Sequence, residues 1–204
     1  MMAAVVFEST GPDPSDSAGR LVQKFVTDRT GVLAGSYLLI AGVGLYLVFV
    51  AILRGELRRA EEDPGTLSML WFGGGVASFV STTLYVAIYA ALAHGAAGGD
   101  PHLTLALFRI SNGVDAAGGV FIAVAVIAAA VVVIQTGVFP RWLGWLGLGA
   151  GSLGILGTFA LDEPSSLVGT VGFIGTLLTI VWTLLISVVL LRRGVTRATR
   201  SQGK

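Results

Sequence analysis

The stretch VLAGSYLLIAGVGLYLVFVAIL at residues 32–53 runs for 22 residues without a charge, and its reading decides the fold. A hydrocarbon core about 30 Å thick is crossed by about 20 apolar residues in a helix. Four more runs of the same kind follow, at 67–92, 114–136, 142–161 and 167–191. Inside lipid each backbone N–H and C=O must be paired within its own segment, so runs of this length are helices. A soluble domain has no use for five in succession. The expected fold is therefore an all-α integral membrane helical bundle with five transmembrane helices.

Composition agrees. Hydrophobic residues form 54% of the 204-residue chain and charged ones 12%, against about 25% charged in an average soluble protein. The 29 glycines also suit membrane helices, which tolerate Gly better than soluble ones do. Cysteine is absent, which excludes disulfides, thiolate metal sites and cysteine nucleophiles. No basic or acidic domain of a size to bind nucleic acid exists. Three parts are expected: a polar tail at 1–31 with a short amphipathic helix, a five-helix transmembrane domain at 32–191, and a basic tail at 192–204. Residues 1–7 are apolar but too short to span or to form a signal-peptide core. They read either as a free tail or as the remnant of an upstream span, which would make six spans in a full-length form.

Charge orients the bundle. If five helices alternate, nine cations share one side: Arg54, Arg58, Arg59, Arg141, Arg192, Arg193, Arg197, Arg200 and Lys204. Four lie on the other: Arg20, Lys24, Arg29 and Arg109. Positive residues flanking spans stay cytoplasmic, so the carboxyl terminus is expected inside and the amino terminus outside. Trp71, Trp142 and Trp145 fall at the span ends expected to be cytoplasmic, where indoles meet headgroups. Pro64, Pro101, Pro140 and Pro164 mark the four connections. In segment 17–30, Leu21, Val22, Phe25 and Val26 share one helical face, which reads either as an amphipathic helix on the outer surface or as a solvated tail.

Small residues predict the packing. Gly144, Gly147, Gly151 and Gly154 recur every three or four positions and include a Gly-x-x-x-Gly step; Gly169, Gly172, Thr176, Thr179 and Thr183 keep the same spacing in the fifth run. Close backbone approach across such residues holds membrane helices together. The predicted seam sets Gly154 against Gly172 and Gly151 near Thr176. The Gly149-Ala-Gly151-Ser-Leu-Gly154 run lacks the preceding strand and following acidic residue of a dinucleotide site. Ser152 has no histidine within its span to serve as a base.

One ionisable group falls inside a run. Asp115 opens the third span with Asn112 and Arg109 spaced three apart before it, and residues at that spacing share a face. Tyr85 and Tyr89 of the second run and Tyr37 of the first lie at comparable depth. Intramembrane ionisable residues are functional suspects by default, so these six define a candidate polar cluster, either an outward-facing pocket or a structural junction of helix ends. His94, Asp100 and His102 share an outer loop; they offer three groups of metal-ligand type but no fourth, and a solvated loop is the favoured reading. No metal site and no cofactor are expected.

Residues 16–30 leading into the first span, the span exit at 49–62, and Pro140-Arg-Trp-Leu-Gly-Trp145 together resemble a family of uncharacterised small polytopic membrane proteins of bacteria, of the actinobacterial type, a domain of unknown function. The resemblance covers most of the chain and implies one further amino-terminal span in family members. It implies no activity and no catalytic residue. With no base, nucleophile or metal cluster in one layer, the expected function is non-enzymatic, acting through helix or protein contacts in the bilayer of a bacterial plasma membrane. The expected partners are the lipid bilayer and either a second copy or a membrane complex. The alternative is a small-solute or proton transporter using Asp115.

Overall fold

The structure, a computed structural model, describes residues 17–95, 98–158 and 167–202. Among them six helices follow in order: α1 (Ala18–Thr27), α2 (Arg29–Ala60), α3 (Thr66–Gly95), α4 (Pro101–Thr136), α5 (Arg141–Gly157) and α6 (Leu167–Gln202). No strand occurs among these residues. Four helices are long and apolar enough to cross a membrane: α2, α3, α4 and the 169–193 part of α6. The fourth apolar run, 142–161, forms α5, described over 17 residues. At 1.5 Å per residue that is about 25 Å, most of a hydrocarbon core. Residues 1–16, and the connection carrying Pro164, lie outside the described residues.

Local chemistry places the helix ends where the prolines predicted turns. Asp100 caps α4, its carboxylate accepting the His102 N–H at 2.9 Å, with Pro101 in the first turn. That is the use a helix start makes of Asp and of a residue lacking an N–H. Gly137 ends α4 in the left-handed region at φ 65°, which glycine adopts without strain. Between α2 and α3, the Glu61 carboxylate accepts the Leu67 and Ser68 N–H groups at 2.8 and 2.9 Å, satisfying donors at the start of α3. Arg58 meets Asp63 and donates to the Glu61 carbonyl oxygen, and Arg59 pairs with Glu56 at 2.7 Å.

The long helices pack in sequence order. α4 is the centre, flanked by α3 and α5; α2 lies on α3, α6 on α5, and α1 rests mainly on α4. Two cores result. At the α1 end, Leu21 and Phe25 are fully buried against Tyr89, Leu92 and Phe108. Phe25 meets Tyr89 edge-on at 5.6 Å and Phe108 at 6.4 Å, a favoured aromatic geometry. The amphipathic segment is thus a helix docked on the bundle, with Val26 of its apolar face left 47% exposed. At the opposite end, Val50, Leu53, Trp71, Val126, Val133, Leu143, Trp182 and Ile186 form a core shared by all five long helices.

Two expectations are corrected there. Trp71 is fully buried and does not meet headgroups. Its indole N–H donates to the Val50 carbonyl oxygen at 3.0 Å, and its ring meets Trp182 at 5.8 Å. Trp142 and Trp145 are exposed. The seam is also displaced. Gly172 lies against Gly157, a Cβ on it falling 2.6 Å from the Gly157 Cα, and Gly175 lies against the Gly154 nitrogen at the same distance. Gly151 instead faces α4, at Ala123 and Ile127, as does Gly144 at Ala130 and Ile134. Thr176 is exposed and its hydroxyl donates to the Gly172 carbonyl oxygen. Geometry explains the shift. At 3.6 residues per turn, Gly144 and Gly151 lie within about 20° of each other while Gly157 falls about 140° away. The glycines therefore turn from α4 to α6 along α5, with Gly147 touching both Ala130 and the Trp182 indole.

Candidate functional site

The polar candidates separate. Tyr37 is 71% exposed on α2 and takes no part in any cluster. Arg109 is exposed, Asn112 half-buried, and both lie toward the α1 end of α4. The Tyr85 and Tyr89 rings meet tilted at 4.5 Å, and Tyr89 meets Phe108 at 5.8 Å, within the aromatic core under α1. Asp115 pairs with no hydroxyl of a neighbouring described helix. Among the described residues Asp115 has no hydrogen bond and no ion pair.

Its position follows from helical spacing. Phe108, Ser111, Asp115 and Gly118 recur at three and four residues, so they share one face. Phe108, Ser111 and Gly118 are buried and Asp115 is half-buried, so the carboxylate belongs to the stripe that α4 turns inward. One turn toward α1, the Ser111 hydroxyl donates to the Phe108 carbonyl oxygen at 2.7 Å. One turn the other way, a Cβ on Gly118 would stand 2.9 Å from the Ser81 Cβ, and one on Gly119 would reach Thr158. The Thr158 hydroxyl is turned to the Ile155 carbonyl oxygen at 2.6 Å. Asp115 therefore sits beside the α3–α4 contact, near the described end of α5, two turns below the aromatic cluster of Phe25, Tyr89 and Phe108.

The loop groups have local duties. Asp100 caps α4, and His94 Nδ1 lies 2.7 Å from the Ala90 carbonyl oxygen. Among the described residues no three His, Asp or Glu side chains gather where a metal ion could be held. Partial burial would push the Glu61 carboxyl up, but the N–H groups of Ser68 and Leu67, the Ser68 hydroxyl and Arg58 outweigh it and hold it below the usual carboxylate range.

Sequence reasoning passed over the buried hydroxyl of Tyr46 on α2 and read Thr183 on α6 only as a member of the small-residue register; among the described residues neither hydroxyl has a hydrogen-bond partner. It also passed over Trp182, whose N–H donates to the Leu143 carbonyl oxygen at 2.8 Å. The only available signal was that residues 179, 182 and 186 share a face with Gly172 and Gly175.

A bundle of long apolar helices without a strand among its described residues is a polytopic membrane protein. The chain belongs to the family described as domain of unknown function DUF4386, whose profile matches residues 1–194. No curated protein and no solved structure matches it.

Proposed function

We propose that this protein acts without catalysis, through contacts of its helices with other helices in the plasma membrane of a bacterium, its carboxyl terminus in the cytoplasm. The observation that carries the reading is the outer face of α2. Ala41, Gly44, Val48, Ala51 and Gly55 recur there at three and four residues; all are exposed but the half-exposed Gly55, and a Cβ on Gly44 or Gly55 would meet nothing within 4 Å. Small residues along one stripe let a second helix approach closely. Orientation draws support from the nine cations against four, since Arg54 lies over Phe72 and Arg193 over Phe139 at the end opposite α1.

The test uses the cysteine-free chain. Gly44→Cys is oxidised in native membranes, with Gly149→Cys, on α5, as the comparison. A disulfide-linked dimer, or a cross-link to one defined membrane protein, is expected at 44. A monomer at both positions in membranes and in lipid nanodiscs refutes the reading. The second reading, a proton or small-solute transporter, is favoured by Asp115, which has no hydrogen bond or ion pair among the described residues.

A further inference from the structure

Asp115 is an acidic side chain on the inward stripe of the central helix, and among the described residues no ion pair and no hydrogen bond answers its charge. On α4 the nearest cation is Arg109, six residues away and exposed. α3 carries Tyr85, Tyr89 and, at its far end, His94 as its only titratable groups, and α5 carries only Arg141 at its opposite end. On α1, Arg20 and Lys24 are exposed, as is Asp28 just after it; on α2, Arg29 and Tyr37 are exposed, and Tyr46 lies in the far core. Asp162 and Glu163 follow α5 in the sequence, outside the described residues. Of the nearby hydroxyls, those of Ser111 and Thr158 point their protons at carbonyls of their own helices, while Ser81 of α3 stands across from Gly118. Among the described residues no cation and no hydrogen bond meets an anion placed there, and lone charges in such surroundings are strongly disfavoured. A bound cation removes that penalty.

The polar side chains of α4 near Asp115 lie on one side of it. From 116 to 134, α4 has no polar side chain, and Ala123, Ala125, Val126, Ala129, Val132 and Val133 of that stretch are buried. Beyond them the shared core with Trp71 and Trp182 closes the far end. Toward α1 the same helix carries Asn112, Ser111, Arg109, Thr104, His102 and Asp100. About 21 Å of helix separates Asp115 from Pro101 and about 32 Å separates it from Thr136.

We propose that Asp115 is a binding site for a small monovalent cation, H⁺ or Na⁺. The assignment takes its residue from the transporter reading, but binding does not require flux. An apolar carbodiimide reacts with a carboxyl only in its protonated form. The purified protein in lipid vesicles is treated with it across a pH series, in sodium or choline chloride, and the modified residue is identified by peptide mass spectrometry. Asp115 is expected to be the modified residue, its labelling falling on the order of tenfold per pH unit on the alkaline arm. Labelling insensitive to sodium identifies the proton; labelling suppressed by sodium but not by choline identifies Na⁺. Absence of label at Asp115, or label indifferent to both pH and sodium, overturns the proposal. Asp115→Glu should keep the label and Asp115→Asn should lose it. Should the Asn variant fail to fold, the wild-type titration and the Glu variant still decide. A pH-sensitive dye inside the same vesicles then separates the two claims: labelling without proton or sodium flux retains the binding site and refutes transport.

Discussion

Replacing Gly172 by Ala is the sharpest probe of how α5 and α6 are held. The added Cβ would stand 2.6 Å from the Gly157 Cα, 3.3 Å from its carbonyl carbon and 3.5 Å from its oxygen. All three are backbone atoms, which no rotamer change can move. Carbon contacts are comfortable at about 3.5–4.0 Å, so the helices must part by about 1 Å in that layer. Overpacking of this kind costs about 1–3 kcal/mol. Ala is the better helix former by about 1 kcal/mol, which hides part of the loss. Gly149→Ala is the control, since a Cβ there meets nothing within 4 Å. The propensity gain is common to both, so their difference isolates the contact. Unfolding in detergent micelles, followed by tryptophan fluorescence, should place Gly172→Ala about 1–3 kcal/mol below Gly149→Ala. Equal stabilities would refute the α5–α6 register.

Trp182→Phe loses the indole bond to the Leu143 carbonyl oxygen and part of the packing on Trp71; in the same assay it should cost about 1–3 kcal/mol. Trp142→Phe, at an exposed position, should stay within about 0.5 kcal/mol. Glu61 is held below the ordinary value of 4.5 by the donors of α3. Its contribution is therefore complete above that value and is lost as pH falls through the lower folded one. Stability measured against pH should show this acid loss in the native chain and a flatter acid arm in Glu61→Gln. Ser165→Cys should react with a membrane-impermeant thiol reagent in intact cells, while Arg197→Cys should react only after permeabilisation; the reverse pattern inverts the orientation.

The spans were legible because lipid leaves a 20-residue apolar run one way to satisfy its backbone. Helix ends were legible at Pro101 and Pro140, where a missing N–H decides; the caps at Asp100 and Gly137 came from the structure. The docking face of α1 showed in the spacing of Leu21 and Phe25, though not what it docks on. Which helix each glycine faces was not legible. Gly144 and Gly157 belong to the same run of small residues, and only the arrangement of α4 and α6 around α5 assigns them to different neighbours. The burial of Trp71 escaped for the same reason: an indole near a span end suits a headgroup or a helix carbonyl equally well, and Val50 and Trp182 decide between them. That Asp115 occupies an inward stripe follows from its spacing to Ser111 and Gly118. That no side chain of a neighbouring described helix answers it is a three-dimensional fact, because spacing orders residues along one helix while the partner must come from another.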